Sequence, residues 1–91
     1  MVNPYVEYIG SGYLLRVFYE DVMDEELVWH RDKEDREVEV ISGVGWKLQM
    51  DNQLPEELEE GKIYSINKME YHRLIKGNGT LRLKIREKRN D

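Results

Sequence analysis

The chain contains no cysteine. That excludes disulfide scaffolds, thiolate zinc sites, thiol nucleophiles and redox chemistry through sulfur. It has only two prolines, and no apolar run approaches the roughly 20 residues that a membrane-spanning helix needs. The first residues, Met1-Val2-Asn3-Pro4, lack the basic-then-apolar layout of a secretory signal. A soluble, cytoplasmic protein with no membrane partner is the resulting expectation. A glycine-rich phosphate loop, a Walker pattern and a Ser-His-Asp arrangement are also missing. The 91 residues leave room for a single domain, 1–91. A chain of that size buries roughly 60–65% of the surface its unfolded form exposes, so its stability margin is thin.

Charge is present in quantity but unevenly placed, and the sum is −5. Residues 1–37 carry four basic and ten acidic side chains, residues 38–61 one and six, and residues 62–91 nine and three. The plainer reading is that the two ends pair as neighbouring strands and their charges cancel. The alternative, a basic patch for nucleic acid, conflicts with the long-range repulsion of an acidic molecule. The basic row Arg82, Lys84 and Arg86 also has no aromatic residues between its charges on which bases could stack. No nucleic-acid partner is expected.

Long helical patterns are absent. Short runs of β-branched and aromatic residues are cut by turn signals at regular spacing, the pattern of an all-β sandwich or barrel with eight or nine strands. The runs are Val6–Ile9, Tyr13–Tyr19, Leu27–His30, Val38–Ile41, Trp46–Met50, a short piece within 54–58, Ile63–Ile66, Tyr71–Ile75 and Leu81–Arg86. The last alternates most strictly, with Leu81, Leu83 and Ile85 inward and Arg82, Lys84 and Arg86 toward water. Gly77-Asn78-Gly79 before it reads as a hairpin turn. Residues 21–26 form an acidic connection, and the charged tail 88–91 is expected to fray. The Tyr13–Tyr19 run is apolar on both faces apart from Arg16. One barrel interior cannot use that much apolar surface, so a homodimer is expected.

Chemistry concentrates around the two histidines. In an extended chain alternate side chains share a face. His30, Asp32, Glu34 and Arg36 therefore point the same way as Val38 and Val40, toward the interior. His72 lies on a later strand in the row of Leu74. Two imidazoles and a carboxylate converging inside a barrel make a facial set for a divalent first-row metal, with positions left open for water or substrate. The competing reading is a charged strand end in which Asp32 pairs with Arg31 or Arg36.

These two segments resemble the two motifs of the cupin superfamily. The first motif runs His-x-His, three or four residues, Glu, six residues, Gly. Here His30, Asp32, Arg36 and Gly43 stand at that spacing. The second runs Gly, five residues, Pro, one residue, Gly, two residues, His, three residues, Asn. Here Gly61, Asn67, Met69, His72 and Lys76 occupy the places. The resemblance covers residues 27–86 and is strongest in feel to short single-domain cupins of the phage type, whose location would be a host cytoplasm. Motif identity is kept at His30, Gly43, Gly61 and His72. The resemblance implies a small barrel of the double-stranded β-helix or jelly-roll type, open at one end for a small molecule, dimeric, with His30, Asp32 and His72 as candidate ligands for Fe, Mn, Ni or Zn.

The departures shape the expectation. Asp32 in place of His keeps a good ligand. Arg36 in place of Glu does not, because a guanidinium stays charged and cannot ligate. About 5 Å from a divalent ion at an effective dielectric near 20, it opposes the metal by several kcal/mol. Either Arg36 turns toward Asp32 or Glu34 and fills the metal position, or it holds an anionic ligand beside a weak metal site. A one-residue slip would bring Glu37 inward instead, but would reverse the parity of Val38 and Val40. Trp29, Trp46, Tyr64 and Tyr71 flank the site in sequence, and the last three are read as candidate pocket residues beside Arg36, with plain core packing as their other reading. Three functions follow: a small-molecule-binding cupin without catalysis, a metal-dependent cupin enzyme of the dioxygenase or isomerase type, or an interaction module. The His-x-Asp with a distal His also echoes the 2-oxoglutarate oxygenases, for whose additional elements the chain is short.

Overall fold

A computed structural model describes residues 4–23 and 27–88. Its eight strands are β1 (Val6–Ile9), β2 (Leu14–Phe18), β3 (Asp35–Val44), β4 (Lys47–Met50), β5 (Glu56–Glu57), β6 (Ile63–Ile66), β7 (His72–Ile75) and β8 (Asn78–Lys88). They form two antiparallel sheets, one of five strands in the order β1-β2-β8-β3-β6 and one of three in the order β5-β4-β7. No helix occurs among the described residues, so none there is long and apolar enough to cross a membrane.

Period-2 patterning builds the larger sheet. On β8, Leu81, Leu83 and Ile85 are buried while Arg82 and Arg86 are exposed, as their alternation predicts. On β3, Val38 and Val40 sit opposite Ile85 and Leu83 and are buried with them. On β6, Tyr64 and Ile66 face inward and Ile63 and Ser65 outward. The smaller sheet and its loops close the core from the other side with Trp46, Leu48 and Leu58. Each fully buried aliphatic side chain contributes about 1.5–3 kcal/mol relative to exposure. Gly43 lets β3 pass close over β8: its φ is +149°, and a Cβ there would lie 2.6 Å from Leu81 Cδ1.

The charge asymmetry resolves as strand pairing. Acidic β3 lies beside basic β8, with Glu37 opposite Arg86 and Glu39 opposite Lys84. Lys88 pairs with Glu37 at 2.6 Å. Lys88 is therefore the end of β8, while the rest of the tail, 89–91, lies outside the described residues, as do 24–26 of the acidic connection.

Two expectations need correction. The Leu27–His30 run makes no strand: only His30 pairs, as an isolated bridge to His72. Val28 and Trp29 are both exposed, so the run has no period-2 alternation to hold a ladder. Gly77-Asn78-Gly79 is not a hairpin turn, because β7 and β8 belong to different sheets. The glycines carry the chain across the edge of the barrel, where the indole Nε1 of Trp46 donates to the Gly79 carbonyl at 3.3 Å.

Candidate metal centre and ligand pocket

Between the sheets lies a cavity of about 320 Å³. His30, Asp32, Arg36 and His72 all line it, together with Arg16 and a mostly apolar wall. Backbone pairing brings the four together. His30 and His72 face each other directly, each N–H donating to the other's carbonyl at 3.0 and 2.9 Å. Their rings meet edge to face with centroids 4.3 Å apart. The amide of Met69 donates to the Asp32 carbonyl at 2.7 Å, and the amide of Lys68 to Asp35 Oδ1 at 2.7 Å. Residues 30–35 are thus tied along 67–72, with Asp32 two residues beyond His30 on the same side. The chain then bends at 33–34. Glu34 consequently leaves the expected row and does not line the cavity.

Both imidazoles have a fixed tautomer. The Nδ1 of His30 lies 2.9 Å from the Val28 carbonyl, and that of His72 lies 2.8 Å from the Glu70 carbonyl. A carbonyl only accepts, so each Nδ1 carries the hydrogen and each Nε2 is left to a proton or a metal. His72 Nε2 faces Asp32 Oδ2 at 3.3 Å. One donor atom from each of His30, Asp32 and His72 falls within 4.8 Å of the others. Two ligands that each sit about 2.1 Å from one ion stand roughly 3 Å apart; the 3.3 Å between Asp32 and His72 matches that spacing, and 4.8 Å is the upper bound on the remaining pairs. Asp32 Oδ2 is buried without a well-directed hydrogen bond, as expected of an atom facing such a position. The neighbouring imidazole of His72 holds the Asp32 carboxyl below its ordinary value of 3.8, against the opposing effect of burial, and Arg36 adds to the lowering.

Arg36 takes neither of its expected courses in pure form. Its Nη1 lies 3.6 Å from Asp32 Oδ2, a loose contact, while its Nη2 donates to Glu87 Oε1 at 3.1 Å. Its Nε is buried without a partner among the described residues. Glu34 plays no part. Glu37 stays outside on Lys88 with Val38 and Val40 buried, so the register slip does not occur.

The three aromatic candidates stand off the cavity wall. Trp46 is fully buried but serves as core, tilted against Phe18 with centroids 6.0 Å apart. Tyr64 points inward, yet its hydroxyl reaches the backbone beside β5, accepting from Glu59 N at 2.9 Å and donating to the Glu57 carbonyl at 3.2 Å. Tyr71 precedes His72 by one residue and so faces the opposite way, exposed beneath the Arg31 guanidinium. Sequence reasoning missed Glu87 and Arg16. Glu87 continues the inward row of Leu81, Leu83 and Ile85, and it stands opposite Arg36. Arg16 lies between Leu14 and Phe18 in the inward row of β2.

No protein-family model matches the chain, and no curated protein matches it in sequence. Solved structures do. An RmlC-like cupin with a double-stranded β-helix from Methanocaldococcus jannaschii superposes with a TM-score of 0.72 at 14% identity, covering 94% of this chain and 81% of that one. The chain has the cupin fold. A cupin domain from Bordetella pertussis gives a TM-score of 0.64 at 17% identity over 98% of this chain and 99% of its own. An Fe(II) HppE in complex with substrate gives 0.67 at 14% identity over 97% of this chain and 55% of its own. At these identities the likeness shows the fold alone.

Proposed function

We propose that this protein is a small-molecule-binding cupin whose pocket holds a divalent first-row metal on His30, Asp32 and His72. The observation that carries the reading is the fixed tautomer of both histidines. With Nδ1 committed to backbone carbonyls, the Nε2 lone pair of a neutral His72 faces a carboxylate oxygen at 3.3 Å. Two lone pairs at that distance repel, so the contact takes either a proton, which holds the Asp32 carboxyl below its ordinary value in stripped protein, or a metal cation in its place. Glu87 supports the reading further, because it balances the charge of Arg36, the residue that would otherwise oppose a metal. The HppE structure with Fe(II) is consistent with a metal in this fold.

A bound metal would supply Lewis-acid polarisation of a ligand oxygen at its open positions. The chain's own residues do the rest. Asp32 and the two histidines fix the polar end of the pocket, and Phe18, Val38, Leu48 and Leu83 exclude water from the remainder. The metal-free reading has its own support in the same contact: a proton on His72 Nε2 would also satisfy Asp32. Calorimetric titration of Fe(II), Mn(II), Ni(II) and Zn(II) into chelator-stripped protein separates the two. One metal per chain, abolished by His72→Ala, is the expected result. Absence of binding by the wild type, with the protein folded, refutes the metal reading.

A further inference from the structure

The charges in the pocket specify more than a metal. Arg36, on the cavity wall, touches Asp32 on one side and Glu87, behind the wall, on the other; the three charges sum to −1, and the two imidazoles add nothing when neutral. A divalent ion brings the cluster to +1. One negative charge from a ligand then completes it. Arg36 is equipped to meet that charge. A guanidinium has five N–H donors in a planar fork suited to carboxylates. Nη2 is taken by Glu87, the Nη1 contact to Asp32 is loose, and Nε has no partner among the described residues. The other guanidinium on the wall is already neutralised: Arg16 donates to Glu7 from Nε at 2.8 Å and from Nη2 at 2.6 Å, and packs over the Tyr5 ring at 4.0 Å.

Away from this pole the lining is apolar, including Leu27, Val38, Leu48, Ile66, Leu74 and Leu83. A second charge on the ligand would face those side chains unpaired, at a heavy desolvation cost. The cavity of about 320 Å³ is also at the small end for ligand sites. We infer that the ligand is a small monoanion with an apolar body, a monocarboxylate in the simplest case, whose anionic end lies between the metal and Arg36. This rests on the metal reading, and it makes metal and anion mutually dependent, since each raises the affinity of the other by the same factor.

Benzoate, benzamide and benzylamine are suitable probes, because they share a ring and differ in charge. Zn(II) is titrated first into stripped protein, and each probe is then titrated into the loaded and stripped forms. The expected result is benzoate binding at least tenfold tighter than either other probe to the loaded protein, with that preference absent from the stripped protein. Arg36→Gln should hold Zn(II) at least as tightly as the wild type and yet lose the preference, while Arg36→Lys keeps part of it. Structural damage would weaken both ligands together, so these opposite effects mark a direct role for Arg36. Benzoate bound no better than benzamide by the loaded wild type overturns the inference, as does a preference that survives in Arg36→Gln. Failure of Zn(II) to bind in the first titration overturns the metal reading itself and is visible before any probe is added.

Discussion

Replacing Arg36 with Glu tests the central electrostatic argument. By the resemblance to the cupin motif Arg36 stands in the place of a Glu ligand, and its Nη1 is 3.6 Å from Asp32 Oδ2. A unit charge about 5 Å from a divalent ion opposes it by about 7 kcal/mol at an effective dielectric near 20, and a carboxylate about 8 Å away returns about 4 kcal/mol. Glu87, on the far side of the same guanidinium, supplies that carboxylate. The wild-type pair therefore weakens metal binding by about 3 kcal/mol before relaxation and screening. Arg36→Glu removes the cation, leaves Glu87 in place and adds a ligating oxygen. Metal affinity should rise by at least tenfold, which requires only about 1.4 kcal/mol of the available energy. Arg36→Gln should gain less, since it removes repulsion without adding a good ligand. In the Arg36→Gln background His72→Ala should cancel the gain, because two ligands cannot fix a facial site; in Arg36→Glu it should reduce the gain, with the new carboxylate left beside His30 and Asp32 as a poorer set. The stripped Arg36→Glu protein should melt lower than the wild type, with three carboxylates crowded together, and should recover when metal is added. The assay is calorimetric titration of stripped protein, with thermal melts to show that each variant is folded. If folded Arg36→Glu binds metal no more tightly than the wild type, Arg36 does not govern the site and the charge argument fails.

The folded-state pKa of Asp32 lies below its unfolded value, chiefly through His72. Its contribution to stability is therefore complete above about pH 4 and is lost as pH falls through the lowered value. In stripped protein Asp32→Asn should flatten the acid limb of a plot of melting temperature against pH; an unchanged limb refutes the pairing. Gly77→Ala should destabilise by about 2 kcal/mol or more, because a Cβ there would meet backbone atoms of Val44, Gly45 and Trp46, none of which can rotate away. Chemical denaturation showing a loss under about 0.5 kcal/mol would remove that claim. We also propose a homodimer. Every residue of β1 is exposed and this strand is an edge of the larger sheet, with Val6, Tyr8 and Ile9 offering apolar surface. Light scattering at tens of micromolar should give twice the chain mass, reduced to the chain mass by Ile9→Asp; a wild-type monomer refutes it.

What could be read from the sequence was whatever depends on residues two apart. Alternation on β8 and β3 located the inward rows, and the same parity brought His30 and Asp32 to one side and placed His72 in the row of Leu74. Reading was weaker where the partner of a side chain depends on which strands become neighbours. Nothing local says that β8 lies between β2 and β3, yet that order places Glu87 across from Arg36 and decides what its guanidinium does. The alternation of β8, carried two residues past Ile85, already put Glu87 on the inward side; only its pairing was hidden. The glycines at 77 and 79 show the same division. They correctly mark a sharp change of direction, but a hairpin and a crossover between sheets make the same local demand, and the difference lies in where β7 pairs. Trp46 and Tyr64 point inward as their parity requires, yet inward positions in a small barrel divide between those that fill space and those that border the cavity. That division depends on what each side chain reaches: the indole of Trp46 extends to Gly79 and the phenol of Tyr64 to the backbone beside β5, so both close the core, while Phe18, Val38, Leu48 and Leu83 border the cavity.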